Sequence, residues 1–313
     1  MRFSHLKGLI AAPFTPMDSK GTLDLGVIPH YYEFLKQNGI TGVFICGSTG
    51  EGASLTVKEK MLVAEAWANC TRKDPAFSTM TLLGGTSLQE CKELAIHAYS
   101  VGINAVSFTA PYYFKPARIE LLVASCKEVA SVVPEMPFYY YHIPVLTGVN
   151  FPMINLLQQL DGACPNFAGI KYTHEDFMDF QSCLAFANGK YDMLWGRDEN
   201  LLASLAIGAK AAVGSTYNYA APVYHAIIKA FGDGDMEEAR FQQLRSIEMI
   251  RLLGKYGGIG VGKAFMKAVG MDCGSFRLPV AGMTDKDRMD FQIDLESIQF
   301  HTYCSVKPDL VNI

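Results

Sequence analysis

The chain has 313 residues, half of them hydrophobic and 19% charged, and 27 Lys and Arg against 31 Asp and Glu give a net charge of −4. This composition describes a globular chain with a large core and excludes a disordered one. The slight acidity argues against nucleic acid or an acidic membrane surface as the main partner.

Eight cysteines are scattered with no CxxC pair and no Cys/His cluster at zinc-ligand spacing. That usage fits reduced thiols in a cytoplasmic protein with no bound metal. Arg2 and Lys7 precede an apolar patch, but Gly8 to Ala12 is too short for a signal h-region and Pro13 breaks it. The patch reads as a first strand. No run reaches the ~18 apolar residues that a membrane span needs.

Short apolar segments then recur, each followed by a longer segment of helical period. Strands are predicted at Leu9–Ala12, Gly42–Cys46, Met80–Gly84, Ala105–Thr109, Phe138–Tyr141, Ala168–Lys171, Met193–Trp195 and Ala211–Val213. Helices are predicted among others at Val57–Thr71, Leu88–Tyr99, Ile119–Val132, Phe177–Ala187 and Asn200–Ile207. Thr56 with Glu59, and Ser87 with Glu90, have the spacing of capping boxes. Strands that alternate with helices imply a parallel sheet, and eight is the number that closes a (β/α)8 barrel. An open doubly wound sheet would favour a glycine-rich turn after its first strand, and Ala11-Ala-Pro-Phe-Thr-Pro16 is not one.

Beyond residue 234 the strand signal stops, and Met236–Leu253, Gly262–Val269 and Lys286–Ile298 read as three helices. The expected organisation is a barrel over residues 1–233, a helical region over 234–300 packed on it, and a tail or surface strap over 301–313.

In such a barrel the chemistry gathers at the C-terminal ends of the strands. The second strand ends in Gly47-Ser48-Thr49-Gly50-Glu51-Gly52, where hydroxyls and backbone N–H groups offer a nest for a carboxylate. A plain glycine turn with a helix cap explains the same residues. On the fifth strand, alternation places Tyr139 and Tyr141 on one face, with Tyr141 nearest the mouth as a proton carrier. Tyr139 and Tyr140 read more simply as core aromatics, and His142 as a satisfied core histidine.

The sixth strand ends on Lys171, followed by Thr173, and alternation puts Phe167, Gly169 and Lys171 on one face. An enclosed lysine has a lowered pKa, and its neutral amine attacks ketones to form a Schiff base. A snorkelling lysine at a strand end is the plainer alternative.

After the seventh strand come Gly196-Arg197-Asp198-Glu199, carboxylates that accept bonds from a polyol or cap the next helix. After the eighth comes Ser215, among hydroxyls and amides with no basic residue. Gly257 to Lys263 matches the start of a P-loop, but Ala264 stands where Ser or Thr should be and no strand precedes it. The mouths together carry one lysine, one tyrosine, hydroxyls and two carboxylates, a set suited to imine chemistry without a cofactor.

Gly47-Ser-Thr-Gly-Glu51, Tyr141-His-Ile-Pro144 and Gly169-Ile-Lys-Tyr-Thr173 resemble the signature stretches of the pyruvate-dependent class I aldolases, the N-acetylneuraminate lyase and dihydrodipicolinate synthase superfamily. The resemblance runs in order from about residue 8 to 298. Phe138 to Gly148 with Gly214 to Tyr219 looks most like the animal-type lyases.

Dihydrodipicolinate synthases carry an arginine two residues after the proline of Tyr-x-x-Pro, where this chain has Leu146. The lyases' Gly-x-Asp-Glu is matched by Gly196, Asp198 and Glu199, and a further hydroxyl-binding serine by Ser215.

The resemblance implies retro-aldol cleavage of N-acetylneuraminate to N-acetylmannosamine and pyruvate. Lys171 would form the imine, Tyr141 would relay the proton, Ser48 and Thr49 would hold the carboxylate, and Thr173 would orient the sugar. It further implies a homotetramer, in which Tyr113 reaches across a subunit interface. Another pyruvate aldolase, such as one for 2-keto-3-deoxy sugar acids, would share Lys171, Tyr141 and the nest. A non-catalytic barrel that binds a keto acid is the reading from a different class.

Overall fold

A computed structural model describes residues 3–306. Eight strands form the sheet: β1 (Gly8–Ala11), β2 (Gly42–Ile45), β3 (Ser78–Leu82), β4 (Ala105–Thr109), β5 (Phe138–His142), β6 (Phe167–Tyr172), β7 (Asp192–Trp195) and β8 (Ala211–Gly214). Each pairs in parallel with its sequence neighbours, and β1 pairs with β8, so the sheet closes into a barrel. The predicted (β/α)8 architecture is therefore the observed one.

Most strands are buried at every position, as parallel strands covered on both faces must be. Alternation divides their side chains. Ile10, Phe44, Met80, Tyr139, Tyr141 and Leu194 pack inside the barrel, while the opposite faces join a larger core beneath the helices.

Helix starts follow the local chemistry. Thr56 and Glu59 form the reciprocal capping box at the head of Val57–Thr71. Ser87 accepts from the Glu90 amide at the head of Leu88–Val101, but Glu90 does not reach back, so that box is only half made. Past the barrel the helices are Met236–Lys255, Gly262–Ala268 and Asp285–Ser297, close to the predicted three. Another helix, Tyr217–Asp233, follows β8 directly and packs along Met236–Lys255.

Residues 300–306 strap back onto the barrel: the Ser305 amide donates to Tyr219 O, Ser305 Oγ accepts from the Ala221 amide, and the Val306 amide donates to Asn38 Oδ1. The remainder of the predicted tail, residues 307–313, lies outside the described residues.

One predicted alternation is corrected. Phe167 does not share a face with Lys171. It packs outside against Phe138 and Tyr191, while Ala168 turns into the barrel. The cause is a register shift in the β5–β6 ladder, where Phe138 faces Phe167 but Tyr139 faces Gly169. The unpaired residue between them is a β-bulge, which flips the alternation. Gly169 then tolerates no side chain, because a Cβ there would lie 1.9 Å from Asp192 O.

Candidate active site

Beyond the bulge, β6 delivers Lys171 to the inner face near the C-terminal mouth, in register with Tyr141 on β5 and Leu194 on β7. The strand is fixed from outside by Tyr172. Its hydroxyl donates to Asp179 Oδ2 at 3.0 Å, and its ring stacks on Trp195.

Lys171 is 4% exposed. Its Nζ stands 3.7 Å from the centroid of the Phe44 ring and 4.1 Å from that of Tyr141. Burial lowers its pKa from 10.5 to about 7, against the opposing pull of the Asp198 carboxylate. The two ring faces also favour the charged amine, but they supply much less than the water it has lost. The amine is thus neutral in a large fraction of molecules near pH 7.

Tyr141 is buried beside it, T-shaped to Phe44. Burial pushes its phenol up to about 12, while the Ser48 and Thr173 hydroxyls offset part of the rise. The phenol therefore keeps its proton at neutral pH.

A cavity of about 240 Å³ opens on these groups, lined among others by Thr49, Thr173, Gly196, Asp198, Glu199 and Ser215. Seven predicted site residues thus meet around Lys171 and Tyr141: Thr49, Thr173, Gly196, Asp198, Glu199 and Ser215 line the cavity, and Ser48 stands beside the phenol.

The Thr173 hydroxyl is buried near the Tyr141 phenol but makes no hydrogen bond of full geometry, so it remains available to a ligand. A Cβ at position 196 would lie 1.9 Å from that hydroxyl, which is why glycine stands there. At the far side of the strand-two turn, the Ser48 and Thr49 amides donate to no acceptor among the described residues.

Asp198 is buried, and Thr216 grips it twice: the backbone amide donates to Oδ2 at 3.0 Å and the hydroxyl at 2.6 Å. Burial raises its pKa to about 6, with these bonds and Lys171 working the other way. Asp198 and Glu199 lie in a short 3-10 turn, and neither side chain caps the following helix Leu201–Ala206. Gly214 must be glycine, since a Cβ would sit 2.0 Å from Asp198 Oδ1.

Tyr113 is not brought to the cavity of its own chain. It is 78% exposed on the loop after β4, against the equally exposed Phe114. His142 is buried as predicted but not satisfied, because both ring nitrogens are without partners. Burial, and then His174, lower its pKa to about 3, so the ring stays neutral. The P-loop-like stretch is a 3-10 turn, Gly258–Val261, entering a helix, and Lys263 is buried in an ion pair with Glu51.

Sequence reasoning missed Phe44, Thr216 and Arg197. Arg197 lines the cavity and bridges Glu175 at 2.7 Å to Glu199 at 3.1 Å. Its position between Gly196 and Asp198 was the available signal. Among the described residues no three His, Cys, Asp or Glu side chains converge as metal ligands, and no helix is long and apolar enough to cross a membrane.

Similarity to known proteins agrees with this geometry. The N-acetylneuraminate lyase of Xenopus tropicalis is 40% identical over 289 residues, covering 91% of this chain and 94% of its own. The human N-acetylneuraminate lyase is 37% identical over 306 residues, covering 96% and 95%. The solved structure of Proteus mirabilis N-acetylneuraminate lyase superposes with a TM-score of 0.91 at 37% identity, covering 95% of this chain and all of that one. The family model for the dihydrodipicolinate synthetase family matches residues 5–298, which takes in the barrel, every cavity residue and the helices beyond, and the chain belongs to that family.

Proposed function

We propose that this chain is an N-acetylneuraminate lyase, a class I aldolase that cleaves open-chain N-acetylneuraminate to N-acetylmannosamine and pyruvate. The observation that carries the reading is the Lys171 amine, enclosed between two aromatic faces with its pKa lowered to about 7. A lysine held in that state is a nucleophile near neutrality.

The substrate carboxylate is received by the Ser48 and Thr49 hydroxyls and their amides. Lys171 adds to the C2 carbonyl, and loss of water gives a protonated imine. The C4 hydroxyl passes its proton to the Tyr141 phenol oxygen as that phenol hands its own proton to the substrate carboxylate; the C3–C4 bond breaks, and its electron pair moves into the imine to give an enamine. The aldehyde product leaves. Protonation of the enamine at C3 and hydrolysis then release pyruvate and the free amine. The imine is the electron sink, so no cofactor or metal is assigned.

Thr173, with its unpartnered hydroxyl, and Gly196, Asp198, Glu199 and Ser215 take the sugar end. Leu146 supports this choice over a dicarboxylate substrate: it is an exposed apolar side chain where a second carboxylate would need a cation. The proposed assembly is a homotetramer in which a neighbour's Tyr113 completes the proton relay. The exposed aromatics on the loop after β4 are consistent with such a contact. Eight free cysteines fit a cytoplasmic location.

Borohydride reduction in the presence of pyruvate, followed by peptide mass mapping, tests the mechanism. The adduct is expected on Lys171, and an adduct elsewhere or none would overturn it. Turnover of N-acetylneuraminate against 2-keto-3-deoxygluconate tests the substrate, and cleavage of only the latter would replace the lyase reading.

A further inference from the structure

The turn that ends β2 is strained at both ends. Cys46 and Glu51 have φ of +56°, a left-handed conformation that side chains rarely adopt. Each such residue is strained and persists only where its surroundings over-determine it. Within the turn the Glu51 amide donates to Ser48 O and the Gly52 amide to Gly47 O, and Thr15 Oγ1 donates to Gly50 O at 2.6 Å. A Cβ on Gly52 would lie 1.8 Å from Cys46 O, so the chain doubles back on itself closely.

What holds Glu51 in this conformation comes from more than 200 residues later. Lys263 Nζ donates to Glu51 Oε1 at 2.9 Å, and the Arg277 amide donates to Oε2 at 2.9 Å. The two charged side chains are only 3% and 2% exposed. Lys263 Nζ also donates to Ser275 O at 2.6 Å and lies 4.5 Å from the Phe276 ring centroid, so its charge is met on several sides. The cation of the P-loop-like motif is thereby assigned to the back of the turn, away from any phosphate.

A buried pair of this kind adds little net stability over a well-packed apolar pair, yet its geometry is tightly specified. Its directional effect falls on the Gly47–Gly50 turn, whose Thr49 lines the cavity, whose Ser48 hydroxyl stands beside the Tyr141 phenol and whose Ser48 and Thr49 amides have no acceptor among the described residues. We propose that Glu51 and Lys263 are positioning residues, by which the C-terminal helical region holds this turn in the shape that receives the 2-oxo acid carboxylate. The inference rests on the aldolase reading and assigns to it a part of the chain outside the barrel.

The test uses the double variant Glu51→Gln/Lys263→Met, which keeps the volumes while removing both charges, and Glu51→Gln alone. In the single variant burial already lowers the Lys263 pKa, which eases loss of its proton. Saturation of borohydride trapping at Lys171 is followed with pyruvate and with hydroxyacetone, a ketone that lacks the carboxylate. The half-saturating pyruvate concentration is expected to rise about tenfold, the size of one weakened charge-assisted hydrogen bond, while that of hydroxyacetone stays as in the wild type.

Equal rises for both ketones, or none for either, would overturn the proposal, as would loss of the fold in both variants. If the wild-type chain forms no pyruvate adduct on Lys171, the aldolase reading itself fails. If it does and the variants match it, only this inference fails.

Discussion

A lysine that is neutral near pH 7 carries a stability cost that can be read from its pKa. In the unfolded chain Lys171 titrates near 10.5, and in the folded chain near 7. Between those values the unfolded state binds more protons, so its contribution to stability rises with pH through this window and is smallest below it. Lys171→Met should therefore unfold at higher urea than the wild type at pH 7, by about 3–5 kcal/mol at about 1.4 kcal/mol per pK unit. The gap should narrow when both are measured at pH 9.5. An unchanged gap would mean that the amine is not held near 7. The same shift fixes the sign of the pH–rate profile: imine trapping should climb as pH rises through about 7 and flatten above it.

At this scale the residues legible in the sequence were those whose chemistry is unusual for their place. Lys171 and Tyr141 end apolar strands, where a cation or a reactive phenol stands out. Phe44 and Thr216 have no such mark. Phe44 matters because it is across the barrel from β6, and Thr216 because it reaches Asp198, 18 residues earlier.

Elements place these side chains through glycines as much as through hydrophobic pattern. Gly169 admits the Asp192 carbonyl, Gly196 admits the Thr173 hydroxyl, and Gly214 admits the Asp198 carboxylate. Gly214→Ala would drive its methyl into Asp198 and break the two Thr216 bonds that orient the carboxylate. The expected outcome is a KM for N-acetylneuraminate raised at least about tenfold, with pyruvate trapping at Lys171 retained. Equal loss of both would place Asp198 outside the sugar end.

The eight-strand pattern was legible because buried parallel strands read as short apolar runs. The bulge in β6 was not, because the extra residue appears only in the pairing with β5. Lys171 still faces inward, since the bulge lies before it and alternation resumes from Gly169.

For the whole molecule, the helices beyond β8 extend the core that lies between the barrel and its helices instead of decorating the surface. Phe265 stacks on Tyr219 with centroids 4.6 Å apart, and Phe300 covers Phe265 at 5.2 Å. Tyr219 belongs to the helix whose first turn carries Tyr217 and Asn218. Asn218 in turn accepts from the Tyr31 hydroxyl and donates to Ala12 O. The three helices were legible from their period, but the sequence left tail and strap both open for 301–313, because 300–306 makes its contacts through backbone groups, the Ser305 hydroxyl and single aromatics with no repeating pattern.

A chain ending at Gln299 would lose the buried Phe300 and Tyr303 rings and the Ser305 bonds to Tyr219 and Ala221. Burial of two aromatic side chains, with one hydrogen bond from the Ser305 amide and one to its hydroxyl, sets the loss at no less than about 4 kcal/mol. Thermal unfolding should fall by roughly 6 °C or more, at about 1.5 °C per kcal/mol for a chain of 313 residues. Because the strap reaches the active-site wall only indirectly, through the Tyr217–Asp233 helix and through Arg245 of the Met236–Lys255 helix, the truncated chain should still trap pyruvate on Lys171 at temperatures where it remains folded. An unchanged melting temperature would show that residues 300–306 rest on the barrel without supporting it.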